Sequence, residues 1–167
     1  MLLAERRVRP YEELALAPDP PVRDRATRIR DARLRLEQDA DCWVATSLDD
    51  RPWLVPLSFR WTGDALLLAT PKSNRTYRGV AAGGGLRVAL GTTRDVVMID
   101  GEVDRPAHLP TGEADAVAAR TGVDPRSASD AGYLRVVPRR IQAWRNPAEV
   151  PERTIMRDGY WLESSAR

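Results

Sequence analysis

The sequence predicts a mainly β protein with peripheral helices. Residues Trp53 to Trp61 alternate strictly between two faces. Short apolar segments recur along the chain, joined by brief turns rich in Gly, Asp and Pro. Helical periodicity is confined to a few stretches between them. Short connections favour antiparallel pairing, and a closed or nearly closed barrel is the natural solution for such a sheet. A chain of 167 residues suits one domain, here read as residues 23–167 preceded by an arm, residues 1–22.

The arm contains Pro10, Pro18, Pro20 and Pro21. It is expected to be irregular, with one helical turn near Tyr11–Leu16, and an arm of this kind packs across a dimer partner or stays loose. From Arg23 to Gln38 the residues Ala26, Ile29, Ala32 and Leu36 fall at helical spacing. Cys42 to Leu48 reads as a strand, and Asp49-Asp50 as a turn. Trp53, Val55, Leu57, Phe59 and Trp61 then share a face expected to be core, while Leu54, Pro56, Ser58 and Arg60 share the other. Pro56 cannot donate to a ladder, so this strand has an open or irregular edge. Thr62-Gly63-Asp64 turns the chain into a returning strand, Ala65 to Thr70.

Asn74 to Ala82 reads as a short helix with Ser73 as its N-cap and Gly83-Gly84-Gly85 as its stop. Leu86 to Gly91 and Val96 to Val103 are strands. Thr111 to Thr121 is a helix, with acids in its first turn and Gly122 after its last. Asp124-Pro125 begins another short helix. Tyr133 to Trp144 is a long strand with a break at Pro138, and Asp158-Gly159 turns a final hairpin.

Composition removes several function classes. The net charge is +2 with no basic stripe, which argues against a nucleic-acid partner. No apolar run approaches the roughly 18 residues of a membrane span. Met1 to Pro10 carries three arginines but no apolar stretch after them, so a cytoplasmic protein is expected. One cysteine, Cys42, and one histidine, His108, build neither a disulfide nor a His/Cys metal site within the chain. Cys42 reads as a small core residue, and His108 as a surface loop residue. Ser47, Ser58 and Ser73 lack the context of an activated nucleophile.

Two segments carry candidate chemistry. In Thr70-Pro-Lys-Ser-Asn-Arg-Thr76 a strand ends, a polar loop follows and a helix begins. Lys72, Ser73, Arg75 and Thr76 offer the charges and hydroxyls that a phosphate needs. Lys72 is the single lysine among 26 basic residues, so an ammonium is either wanted at this place or there by chance. In Arg139-Arg-Ile-Gln-Ala-Trp-Arg145, Arg140, Gln142 and Trp144 share a strand face suited to a flat polar ring. The plainer alternatives are a capped helix with solvated charges, and a surface strand whose Trp packs under the arm.

In order and spacing these segments resemble the pyridoxamine 5'-phosphate oxidase-like superfamily of FMN- and deazaflavin-binding split barrels, over about residues 25 to 162. Asp41 to Ser47 is similar to the first strand of that family, Pro52 to Phe59 (with Val-Pro-Leu-Ser) to the second, and Ala65 to Thr70 to the third. The resemblance implies a six-stranded antiparallel split β-barrel acting as a homodimeric oxidoreductase on a small molecule. It implies FMN as cofactor, with the deazaflavin coenzyme as the alternative. Lys72, Ser73, Arg75 and Thr76 would hold the phosphate. Val55, Pro56, Leu57, Ser58 and Thr70 would line the ring, and Gln142 and Trp144 of the other subunit would complete the pocket. The family's oxidase carries an Arg-Leu-His-type motif near its C-terminus. Here that region reads Glu152-Arg-Thr-Ile-Met-Arg-Asp-Gly-Tyr160 with no histidine, so vitamin B6 oxidation is not expected. A flavin- or haem-binding module without turnover, or an RNA-binding barrel using Arg139, Arg140, Trp144 and Arg145, are the other classes.

Overall fold

The computed structural model of the chain describes residues 18–163, so the turn expected near Tyr11–Leu16 lies outside the described residues. Helix α1 (Arg25–Gln38) starts two residues later than its periodicity predicts. The Asp24 side chain accepts from the Thr27 N–H at 2.7 Å and caps it. Ile29, Ala32 and Leu36 are buried as expected, but Ala26 is exposed and Arg28 is buried instead. The Arg28 guanidinium donates to the carbonyls of Arg23 and Glu152 under the helix.

The remaining elements are β1 (Asp41–Leu48), β2 (Arg51–Ser58), β3 (Arg60–Trp61), β4 (Leu66–Pro71), α2 (Arg75–Ala81), β5 (Leu86–Thr92), β6 (Asp95–Asp104), α3 (Thr111–Thr121), β7 (Ala131–Trp144), a 3-10 helix (Pro147–Glu152), β8 (Thr154–Arg157) and β9 (Tyr160–Trp161). All strand pairs are antiparallel, in the order β2-β1-β5-β6-β7-β4-β3, with β8 added to β7 and β9 to β8. The mainly β reading is therefore right. The described residues hold nine strand segments where six were expected, and they do not form a closed barrel.

The opening has a local cause. β2 and β3 sit at opposite ends of the sheet, yet they are one stretch of chain interrupted at Phe59. β2 pairs only with β1, and β3 only with β4. At the junction the Phe59 N–H donates to the Ala40 carbonyl at 3.0 Å, and its ring drops into the core. No ladder joins β2 to β4, so the inner face of β2 is covered from one side alone. Trp53, 36% exposed, is not core as the alternation predicted, and Val55 and Leu57 are half-buried.

The main core fills the concave side of the sheet with Val44, Phe59, Leu68, Val88, Ile99 and Ile141 under α1. A second cluster joins Leu67, Ala69 and Tyr133 to Ala114 and Val117 of α3. Both faces of β4 are thus covered, which explains its unbroken apolar sequence.

Three local expectations are corrected. The predicted break at Pro138 is a continuous strand with a register shift, since Gly101 pairs with Pro138 and Asp100 with Arg140, leaving Arg139 as the extra residue. Asp124-Pro125 starts a turn rather than a helix: the Asp124 carbonyl accepts from Ser127 and Ala128, and β7 begins three residues on. Asn74, not Ser73, caps α2, accepting from the Thr76 N–H at 3.0 Å. At the Asp158-Gly159 turn both residues have positive φ, as a two-residue hairpin turn requires.

Helix α2 lies against the end of β1. A Cβ on Gly79 would stand 2.6 Å from the Ser47 carbonyl oxygen and 3.0 Å from Thr46 Oγ1. Gly79→Ala is therefore expected to destabilise the fold by about 1–3 kcal/mol, as overpacking against backbone does. Urea unfolding checks this, and an unchanged midpoint would mean that the helix can lift away at no cost.

Candidate functional site

The loop between β4 and α2 is fastened to the start of β7. The Lys72 N–H donates to the Asp130 carbonyl at 2.6 Å, and Lys72 Nζ donates to the Ser129 carbonyl at 2.9 Å. Asn74 Nδ2 donates to Thr70 Oγ1 at 3.1 Å, so the buried end of β4 is tied to the cap of α2. Ser73 is exposed. The Arg75 guanidinium lies over the Trp53 ring, 5.1 Å from its centroid. Arg75 Nε and Thr76 Oγ1 are buried without a hydrogen-bond partner among the described residues. Buried polar groups are normally paired, so two orphans on adjacent residues stand out.

Thr70, Lys72, Ser73, Arg75 and Thr76 thus share one corner, and Trp53 joins them from β2. Val55 and Leu57 face inward beside Trp53, by their pairing with Val44 and Cys42. Pro56 is exposed on the opposite face, and the Ser58 hydroxyl donates to Asp41 Oδ1 at 2.6 Å.

Gln142 and Trp144 are elsewhere. Register places them on the convex face, in rows with Met98, Ala89 and Trp43, and with Val96 and Gly91. A single chain therefore does not bring them to the concave face of β2. That convex face holds an apolar trough of about 430 Å³ lined by Trp43, Leu54, Ala89, Val96 and Met98. At its edge Asp100 accepts from Arg87 and Arg140 at 2.5 and 2.6 Å. Burial alone would raise the Asp100 carboxyl, but these two guanidiniums hold it below its ordinary range.

A separate charged group lies where residues 18–23 cross the 3-10 helix. Glu149 is 1% exposed and accepts from the Arg23 side chain at 3.2 and 3.0 Å, from the Arg23 N–H at 2.7 Å and from the Arg145 N–H at 2.8 Å. Burial would raise its pKa, but those donors bring it down to about 2. Cys42 is buried, and burial together with Asp41 pushes its thiol up to about 12, so it is a packed core residue and not a nucleophile. His108 is exposed in a loop. Among the described residues no cluster of His, Cys, Asp and Glu could hold a metal, and no helix is long and apolar enough to cross a membrane.

The trough, the Arg75–Trp53 stack and the Glu149 clamp were not read from the sequence. The trough had a signal: Cys42-Trp-Val-Ala45 and Val96-Val-Met-Ile99 are apolar on both strand faces, the pattern of strands covered on both sides. The other two depend on contacts between distant segments and leave no local trace.

No family model matches the chain, and no curated protein matches it in sequence. Solved structures match it in shape. A protein related to general stress protein 26, of the pyridoxinephosphate oxidase family, from Clostridium acetobutylicum superposes with a TM-score of 0.53 at 15% identity, covering 74% of this chain and 91% of the other. This chain has the pyridoxamine 5'-phosphate oxidase-like fold. A FAD-binding protein from Mesorhizobium loti shares it, with a TM-score of 0.56 at 15% identity over 68% of this chain and 89% of its own. So does an F420 reductase, with a TM-score of 0.53 at 18% identity over 65% and 94%. Identities this low speak for the pyridoxamine 5'-phosphate oxidase-like architecture and not for a shared activity.

Proposed function

We propose that the chain binds FMN, or alternatively the deazaflavin coenzyme, and works as a homodimeric oxidoreductase on a small molecule. The observation that carries this is the half-covered inner face of β2, which ends at a corner bearing Lys72, Arg75 and two buried polar atoms without partners among the described residues. Flavin- and F420-related proteins with the same fold support it. A mononucleotide suits such a place, because its ring needs an uncovered apolar wall and its phosphate needs cations and donors. When bound, the cofactor supplies the hydride chemistry, and the protein supplies binding and orientation.

In this reading Lys72, Ser73, Arg75 and Thr76 hold the phosphate. Val55, Leu57, Thr70 and the backbone at Pro56 and Ser58 line the ring. Gln142 and Trp144 come from a second copy, since they face the convex side of their own sheet. The apolar trough is the surface that this second copy covers, because Trp43, 48% exposed, and Leu54, 59% exposed, are too large an apolar patch for a solitary subunit.

Titration with FMN and with the deazaflavin coenzyme, read by visible absorbance, is expected to give saturable binding of at least one. Failure of both overturns the cofactor reading. Sedimentation at micromolar concentration is expected to show a dimer, and Leu54→Asp is expected to split it. A monomeric parent protein overturns the shared pocket. Pyridoxamine 5'-phosphate is expected not to be turned over at ordinary enzyme rates of about 1–1000 per second.

A further inference from the structure

A pocket of about 400 Å³ opens beside Trp144, bounded by Arg94, Arg145, Asn146 and Asp19. Its volume falls in the range of small-molecule sites, about 300–1,000 Å³. Its walls are held from several directions. Asn146 Nδ2 donates to the Pro20 carbonyl at 2.8 Å, and Arg145 Nε donates to the Pro21 carbonyl at 3.2 Å. The Arg145 N–H is fixed on Glu149 Oε2. One edge of the Arg145 guanidinium is thereby anchored, and it makes no ion pair among the described residues. Arg94 pairs with Asp19 at 3.4 Å, both of them about half exposed. Trp144 is half-buried, with the Arg153 guanidinium 5.7 Å from its ring centroid.

We propose that this pocket binds a flat aromatic monocarboxylate, and that this is the substrate class. The indole of Trp144 provides a surface on which an aromatic ring can stack. The guanidiniums of Arg145 and Arg94 present donors with the planar geometry that a carboxylate accepts. Among the described residues that line the pocket Arg94 is paired with Asp19, and the nearby Glu149 is taken up by Arg23, which leaves Arg145 as the uncompensated cation. The surplus suits a singly charged ligand. The role as substrate site rests on the proposed function, in which Trp144 stands against the cofactor held by the partner. The binding itself does not depend on it.

The test uses the full-length protein and three probes, benzoate, benzamide and cyclohexanecarboxylate, with binding measured by ligand-observed NMR and cofactor occupancy by visible absorbance of the same samples. Benzoate is expected to bind saturably, about tenfold or more tighter than benzamide, which lacks the charge-assisted hydrogen bond, and about two- to tenfold tighter than cyclohexanecarboxylate, which keeps the carboxylate but cannot stack on the indole. Arg145→Gln is expected to weaken benzoate about tenfold and to leave benzamide unchanged. Arg94→Gln removes a more exposed guanidinium whose link to residues 18–23 is the half-exposed pair with Asp19, worth about 1 kcal/mol or less, so it keeps the test valid if Arg145→Gln loosens that crossing. Trp144→Leu is expected to abolish the preference for benzoate over cyclohexanecarboxylate. Equal binding of benzoate and benzamide, or no effect of either arginine variant, overturns the site even when the cofactor binds. Selective benzoate binding in a protein that takes up neither FMN nor deazaflavin keeps the site and overturns the cofactor reading and the substrate role.

Discussion

Glu149→Gln is expected to destabilise the protein by about 3–5 kcal/mol, the cost of leaving a buried charge without its partner. Arg23 and Glu149 are joined by three side-chain and backbone contacts from the arginine alone, and their side chains are 4% and 0% exposed. Asp31 at 3.1 Å and Asp95 at 3.5 Å also reach Arg23, but each is about a quarter to a third exposed, so neither can replace Glu149. Asp95→Asn is the comparison variant and is expected to cost about 1 kcal/mol or less, as partly exposed pairs do. Urea unfolding midpoints check both. The pair also sets an acid dependence. The folded-state pKa of Glu149 is lowered from 4.5 to about 2. A lowered carboxyl contributes stability that is fully present above pH 4.5 and is lost as pH falls toward 2. The difference of two to three pKa units corresponds to about 3 kcal/mol. The parent protein is therefore expected to lose that much more stability between pH 5 and pH 2 than Glu149→Gln does. Parallel curves for the two proteins would show that Glu149 is not held ionised by its donors.

Removing a phosphate ligand gives the second large effect. Lys72→Ala is expected to weaken FMN or deazaflavin binding roughly 10- to 150-fold, the range for one charge-assisted hydrogen bond of about 1.5–3 kcal/mol. Riboflavin lacks the phosphate, so its affinity should stay within about twofold. Arg75→Ala is a less clean variant than the sequence implied. Lys72 is exposed, but Arg75 is half-buried over Trp53 with its Nε fully covered, so its charge is not simply solvated. The double variant Lys72→Ala with Arg75→Ala should therefore lower the thermal midpoint as well as the affinity. Thr76→Val separates the two effects. Its hydroxyl has no partner in the described residues, so removing it should leave the apo protein as stable or slightly more so. The same change should reduce FMN affinity if the hydroxyl meets the phosphate. Unchanged FMN binding by Lys72→Ala and Thr76→Val together would place the phosphate elsewhere.

Local physics made much of the architecture legible. The helix Thr111–Thr121 matches its predicted bounds, because glycine in the left-handed region at Gly122 fixes its end within the sequence itself. The Asp158-Gly159 turn and the returning strand after Thr62-Gly63-Asp64 are equally local. Each depends on residues a few positions apart, and composition alone was enough to set aside a disulfide and a His/Cys metal site. The order of elements also sufficed for the resemblance whose fold the solved structures share.

What only the tertiary structure decided involves partners far apart in the chain. Alternation placed Trp53 in the core, since period two reports which residues share a face but not whether anything covers that face. The interruption at Phe59 leaves β2 with one neighbour, and Trp53 meets Arg75 instead of core. Arg23 read as helix because its spacing fits, yet it pairs with a carboxylate 126 residues away. Lys72 read as an ammonium either wanted in its loop or there by chance, and the start of β7 places the Ser129 carbonyl beside it. Gln142 and Trp144 were rightly placed on one strand face, but which side of the sheet that face occupies was set by the register of β6 on β7 and by its shift at Arg139. Sequence therefore determined most of the elements, the glycine stop of α3 and the alternation within strands, which are short-range properties. Coverage, ion pairing and the sides of the sheet were decided by long-range register and closure, where a shift of one residue exchanges inside for outside.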